Sequence, residues 1–198
     1  MTAGDGLHHR LRAATAGAHA DLETALDWQA RVATRAGYRG LLARLHGFHA
    51  AYEPAIGRAL ADEAFFGPRR RLQALSADLR HLGLPTPESL PRPAEPGLDG
   101  PSAFGALYVL EGSTLGGRVI GRHIGERHGL DGAGLVYYRA HGARTGAMWA
   151  DFRARLETMA GDAATERAVL AAGVATFAAM RDWLCGREAE GDTDVTAN

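Results

Sequence analysis

Apolar positions recur at three- and four-residue spacing along most of the chain and never settle into sustained alternation, so the pattern predicts helices and no strands. Leu7, Leu11, Ala14, Ala18, Leu22 and Leu26 form the stripe of a first amphipathic helix, which Thr15 and Gly17 weaken locally. Asp27 to Ala36 reads as a turn with a short helix. A second long run starts at Tyr38 and keeps its spacing to about Ala61, with Pro54 expected to kink it or end its first part. Pro68 is placed to open the next helix, where proline is tolerated, and Leu72, Leu75, Leu79 and Leu82 line that helix up to a stop at Gly83. Leu84 to Pro101 holds six prolines and reads as a long connection. It is not a domain boundary, because both flanks are helical and neither half buries much alone. Ser102 is the expected cap of the helix that follows, Gly129 to Gly134 a turn, and Ala143 to Met159 and Ala163 to Cys185 two further helices. The pattern predicts an all-α single domain of six to eight helices over residues 1–190, with 191–198 as a flexible tail.

One predicted helix is rich in glycine. Leu107 to Gly125, LYVLEGSTLGGRVIGRHIG, carries Gly112, Gly116, Gly117, Gly121 and Gly125. Each interior glycine costs a helix about 1 kcal/mol relative to alanine, so five cost roughly 4–5 kcal/mol against a typical net stability of about 5–15 kcal/mol. Two things offset such a cost: close approach of another backbone, or of a flat ligand that a Cβ would strike. Gly112/Gly116 and Gly121/Gly125 are i, i+4 pairs that suit close helix packing, so the segment alone leaves both open.

Composition narrows the function classes. The 198 residues are 46% hydrophobic and 23% charged, ordinary for a globular domain with a sizeable core. A net charge of -1 leaves no nucleic-acid footprint. All 22 basic residues are arginine, so any anion contact is a guanidinium. Cys185 is the only cysteine, which rules out an internal disulfide and is compatible with a reducing compartment. No N-terminal apolar run resembles a signal peptide and no stretch approaches the ~20 apolar residues that span a bilayer, so a cytoplasmic location is expected.

Most of the nine histidines carry no ligand pattern. His46 and His49 lie three apart with Glu53 four further on, a metal-compatible spacing that lacks the second helix's ligands of a carboxylate-bridged site. His19 has Glu23 one turn later, so a carboxylate can reach the second ring nitrogen, the arrangement that fixes the tautomer of a metal-bound histidine. The same spacing also describes a plain surface pair. Arg12 lies two turns earlier on that side. Taken with the glycine-rich helix, the pattern suggests a planar cofactor between two helices, one supplying an axial nitrogen and the other a close backbone.

The residues that carry this suggestion also carry a family resemblance. LRAATAGAHADLE (Leu11 to Glu23) resembles the first-helix signature of the haem oxygenases, and LYVLEGSTLGG (Leu107 to Gly117) the distal-helix signature of their bacterial, biliverdin-producing members. MWADFRARLE (Met148 to Glu157) resembles the family's next helix, and the likeness covers nearly the whole chain in order and spacing. It implies an all-α haem-oxygenase-like bundle with a kinked glycine-rich distal helix, and haem as both cofactor and substrate. By position, His19 is the implied iron ligand and Glu23 its partner. Gly112, Ser113, Gly116 and Gly117 form the distal wall, and Arg12, Tyr108 and Arg153 meet the propionates. Arg153 fits a solvated helix face equally well. The resemblance further implies O2, an external electron donor of reductase or ferredoxin type, and biliverdin, carbon monoxide and ferrous iron as products, with no nucleic-acid or membrane partner. An imidazole ligand, unlike a thiolate that promotes O–O cleavage, suits attack on the porphyrin itself. Ser113 stands where mammalian-type members carry a water-organising aspartate, which leaves the groups that hold distal water unassigned. Two other readings fit the sequence: a haem-binding or storage protein without turnover, and a non-haem enzyme on the same scaffold that uses His46, His49 and Glu53.

Overall fold

The chain folds into α1 (Leu7–Leu26), α2 (Trp28–Arg31), α3 (Arg35–Leu60), α4 (Glu63–Phe66), α5 (Leu72–His81), α6 (Gly100–His128), α7 (Thr145–Glu157) and α8 (Ala163–Cys185). Short 3-10 turns at Gly67–Arg69 and Gly142–Arg144 complete the order, and no strand occurs among the described residues. The structure is a computed structural model that describes residues 6–84 and 89–186, so the expected tail at 191–198 lies outside it. Buried apolar side chains from α1, α3, α5, α6, α7 and α8 join in one cluster.

Several helices borrow their caps from distant parts of the chain. The first two amides of α1, Leu7 and His8, donate to the Glu157 carboxylate of α7 at 2.8 and 2.9 Å. The α5 N-terminus is held by Glu53 of α3, whose Oε1 accepts from the amides of Arg71 and Leu72 at 2.7 and 2.9 Å. A carboxylate at either position also complements the positive end of the helix dipole. These remote caps explain two departures from the sequence pattern. Pro68 sits in the 3-10 turn, not at a helix start, because α5 begins where Glu53 meets it. Pro54 neither ends nor divides α3, since Ala51, Tyr52, Glu53, Ala55 and Ile56 around it are all buried and their packing offsets the missing hydrogen bond.

Three further expectations change. The cap of α6 is Asp99, and Ser102 is its return partner three residues on: Asp99 Oδ1 accepts from the Ser102 amide at 2.9 Å while Ser102 Oγ accepts from the Asp99 amide at 2.8 Å. On α1 the buried stripe passes through Thr15 and leaves Ala14 exposed. Thr15 tolerates burial because its hydroxyl donates to the Leu11 carbonyl at 2.8 Å. Finally, α8 is 23 residues long with a mean hydropathy of 1.3, long and apolar enough to cross a membrane by length and composition alone. Here that apolar character is spent packing along α1 and α6.

Where α1, α6 and α8 meet, two glycines allow backbone contact. A Cβ on Gly105 of α6 would fall 2.2 Å from the Val169 carbonyl oxygen and 2.8 Å from the Gly173 nitrogen of α8. A Cβ on Gly173 would come within 2.8 Å of Leu11 Cδ1 and 3.1 Å of Thr15 Cγ2 on α1. By contrast, Gly17 on the exposed side of α1 has nothing within 4 Å. The replacement Gly17→Ala is therefore expected to stabilise by about 0.5–1 kcal/mol through helix propensity. Gly105→Ala should destabilise by about 1–3 kcal/mol despite the same gain, because backbone must move to admit the methyl. Paired thermal or denaturant melts measure both.

Candidate functional site

The helices α1 and α6 both lie along α8 and scarcely touch each other. Ring contacts bridge them at two points: His8 packs edge-on to Tyr108 with centroids 6.1 Å apart, and Trp28, just beyond α1, packs edge-on to His123 at 5.3 Å. Tyr108 and His123 are fifteen residues apart, about 22 Å along a helix. Between the bridges the two helices run in the same sense with a slot between them. Its back is Phe177 of α8, 5.1 Å from the His19 ring and 6.5 Å from the Tyr108 ring.

Helical spacing aims matching faces into this slot. On α1, His8, Arg12, His19 and Glu23 fall on one side at i, i+4, i+11 and i+15; on α6, Tyr108, Gly112, Val119 and His123 do the same, with Leu115 and Gly116 beside them. The His19 side chain is 53% exposed, and its Nε2 lies 3.5 Å from Glu23 Oε1, a loose contact between mobile partners. Large apolar side chains seldom stand out from a helix without purpose, yet Leu115 is 47% and Val119 70% exposed here.

The five glycines divide into two groups. A Cβ on Gly116 would meet nothing within 4 Å, and one on Gly112 only the Trp149 ring at 3.9 Å. The other three serve close packing: Gly117 faces the Tyr138 backbone at 3.4 Å, Gly121 the Tyr138 Cβ at 2.8 Å, and Gly125 the Leu130 carbonyl at 2.9 Å. Gly117 thus backs the helix instead of facing the slot. Through all five, α6 continues as one helix.

At the His8 end of the slot two cations converge. Burial lowers the pKa of His8, and the Arg153 and Arg12 guanidiniums lower it further, against an opposing pull from Glu157. Both arginines are exposed and neither has a carboxylate partner among the described residues. Trp149 packs edge-on to His8, with centroids 5.6 Å apart, and tilted against Tyr108 at 5.8 Å.

A polar chain runs from α6 into the core. Burial raises the pKa of Tyr137, and a hydrogen bond from Ser113 works against that rise. Tyr137 Oη also meets His49 Nε2 at 3.2 Å, and His49 Nδ1 meets Glu53 Oε1 at 2.8 Å. The loop carrying Tyr137 is pinned by Arg71, which donates to the Val136, Tyr137 and Ala140 carbonyls, and by Asp78, which accepts from the Val136 and Tyr137 amides at 2.8 Å. The spacing of His46, His49 and Glu53 therefore has a structural use. His46 Nε2 turns to Ser76 at 3.1 Å, Glu53 caps α5, and no group of three metal-binding side chains occurs among the described residues. Sequence spacing could not reveal Phe177, Trp149, Tyr137 or the Trp28–His123 bridge, since each partner comes from a remote element.

The fold is all-helical, with the half-exposed His19 imidazole on α1 and, on α6, Gly112 and Gly116 free of close neighbours. No family model matches the sequence. A haem oxygenase of Xanthomonas campestris pv. campestris (strain 8004) is 37% identical over 144 residues, which cover 71% of this chain and 84% of that protein. Among solved structures, the NO- and CO-bound haem oxygenase of Neisseria meningitidis matches with a TM-score of 0.77 at 22% identity, over 94% of this chain and 95% of the other. The haem oxygenase of Leptospira interrogans matches at 0.76 and 17% identity, over 91% and 98%. The chain belongs to the haem oxygenase family, and it is an enzyme.

His8 gives the site a pH signature. Its folded pKa lies below the ordinary 6.5, so as pH falls below about 6.5 the unfolded chain binds the proton first and stability is lost until the folded pKa is passed. Comparing thermal stability of wild type and His8→Phe from pH 8 to 5 should show a steeper acid-side decline in the wild type; parallel curves would remove the effect.

Proposed function

We propose that the chain holds haem on edge in the slot between α1 and α6 and opens the ring oxidatively, releasing biliverdin, carbon monoxide and ferrous iron. The observation that supports this best is the half-exposed His19 imidazole on α1 together with the unobstructed backbone of Gly112 and Gly116 on α6. Haem is an apolar disc with two carboxylates on one edge and a metal that accepts a nitrogen ligand. The slot offers Leu115 and Val119 as exposed apolar surface, Arg12 and Arg153 as unpaired cations at one end, and an imidazole midway. The residues fit the group.

When bound, haem supplies the iron that takes O2 and the ring that is cleaved. His19 would hold the haem iron, and Glu23 would accept a hydrogen bond from its other ring nitrogen, orienting the imidazole and raising its basicity. Arg12, Arg153 and the Tyr108 hydroxyl hold the propionates, and so set how the disc is turned in its own plane. Gly112 and Gly116 would let the α6 backbone lie close to the porphyrin and restrict the space beside it; Gly117 lets Tyr138 seat behind that wall. Tyr137 and His49 form a hydrogen-bonded pair that would pass a proton to distal water, which the Ser113 oxygen would help to hold. Electrons come from an external reductase or ferredoxin-type donor, which suits a cytoplasmic setting. A storage role without turnover gains no support from the relatives, and the non-haem alternative loses its ligands to capping and packing.

Hemin titration followed by reductant under air tests the reading. Wild type should give a Soret band that decays as a bilin spectrum grows. His19→Ala should shift or weaken the band, and Glu23→Ala should reduce hemin affinity by about 10–100-fold. A spectrum that His19→Ala leaves unchanged rules out the ligand assignment. Gly116→Ala should raise hemin-free stability by about 1 kcal/mol, since it meets no neighbour, while Gly116→Leu blocks turnover.

A further inference from the structure

The glycine wall raises a mechanical question that its proposed role does not answer. A helix normally fixes its rotation about its own axis by interlocking side chains with a neighbour. From Gly112 to Gly117, α6 has few side chains to interlock: Thr114 turns its hydroxyl back to the Glu111 carbonyl at 2.6 Å, Leu115 is exposed, and three positions are glycine. A rotation of about 20° would move a Cα by about 0.8 Å, given a helix radius of about 2.3 Å. That is about half the length of the Cα–Cβ bond whose absence defines the wall.

Glu111 lies about 100° around the helix from Gly112 on one side, and Ser113 about 100° on the other. Ser113 turns its hydroxyl back to the Leu110 carbonyl at 2.7 Å. Glu111 points into a buried charged node built from three separate elements. Its Oε1 lies 3.9 Å from Arg69 Nε, in the 3-10 turn before α5, and 3.5 Å from His141 Nε2, in the loop before α7. The side chains are 1%, 2% and 3% exposed for Glu111, Arg69 and His141. None of these three atoms has a hydrogen-bond partner. Buried polar groups rarely go unsatisfied, and here three from separate elements face one another. Arg69 itself is fixed from the other side: it donates to Asp151 at 2.7 Å and to the Met148 carbonyl at 3.1 Å on α7, and lies over the Phe65 ring at 3.9 Å.

We propose that Glu111 is a positioning residue: with Arg69 and His141 it locks the rotation of α6 and thereby decides which edge of the porphyrin faces the Gly112–Gly116 backbone and which meso carbon is attacked. The inference rests on the haem-cleaving reading above and adds a determinant of its specificity. Stability alone is a poor reason for the node, because a buried ion pair is commonly matched or bettered by apolar residues of similar volume. A fixed register is what it supplies that apolar packing around glycines cannot.

Two measurements on the full chain separate this lock from the reading it rests on. Amide hydrogen exchange of residues 112–117 needs no haem: Glu111→Ala and His141→Ala should each speed exchange there by about tenfold or more, relative to α8 amides in the same sample. Glu111→Gln, which keeps the shape and removes the charge, should fall between and serves if the alanine variant does not fold. The second measurement is the isomer composition of the bilin made by haem-loaded protein with reductant and air. Wild type should yield a single biliverdin isomer, and the variants a mixture. If wild type makes no bilin, the haem-cleaving reading fails, and the steering with it. If wild type makes one isomer and the variants make the same one with unaltered exchange, the lock is overturned. Faster exchange with an unchanged isomer overturns the steering.

Discussion

Gly173 is the point from which the slot is measured. A methyl there would strike Leu11 and Thr15 of α1 and come within 3.6 Å of the Gly105 carbonyl of α6, so one residue of α8 bears on both walls at once. Because α8 takes up the close contact, α1 and α6 need not pack on each other, and they meet only through aromatic bridges beyond the stretch that matters. Two helices that docked directly would close about a ridge-and-groove contact 8–10 Å between axes, leaving no room for a disc. The open slot thus follows from close packing elsewhere.

The glycines of α6 then take on separate tasks that sequence spacing blends together. Read as a string, five glycines in nineteen residues fit either close packing or a flat ligand, and both i, i+4 pairs seemed equivalent. In the fold, Gly117, Gly121 and Gly125 let the Tyr138 and Leu130 segment sit against the helix, whereas Gly112 and Gly116 look onto open space. The deciding fact is the path of residues 130–142, held by Arg71 and Asp78. Burial raises the Asp78 carboxyl pKa, while two amide hydrogen bonds and Arg71 oppose that rise. None of this can be inferred from the α6 sequence.

Local order was more legible. The bounds of α1 and α8 follow from their own residues, since an apolar stripe and a terminal Asp or Gly lie within one turn of each end. His19 and Glu23 were visible for the same reason, an i, i+4 relation within one helix. What stayed hidden depends on long separations. Glu53 satisfies amides 18 and 19 residues away and so sets the start of α5 in place of Pro68, and Glu157 caps α1 from 149 and 150 residues away. The His46, His49 and Glu53 spacing misled in the same way. Metal ligands and a capped, hydrogen-bonded helix face use the same residue types, and only the location of the second partner separates them.

The polar groups around α6 fall into a pattern that gives the site its asymmetry. Toward the His8 end stand unpaired guanidiniums in water, where a dianionic edge would find charge without having to break existing pairs. Behind the wall, in contrast, the charges are buried and face one another: Glu53 with His49, Glu111 with Arg69 and His141. An anionic ligand is drawn to the first set and kept from competing with the second by the glycine backbone between them. A helix so poor in side chains at its centre can stay in register only if its flanks are tied, and tied by groups that cannot slide as apolar contacts do. The low packing at Gly112 and Gly116 and the high polarity beside them are therefore two sides of one requirement, a backbone that is both exposed and immobile.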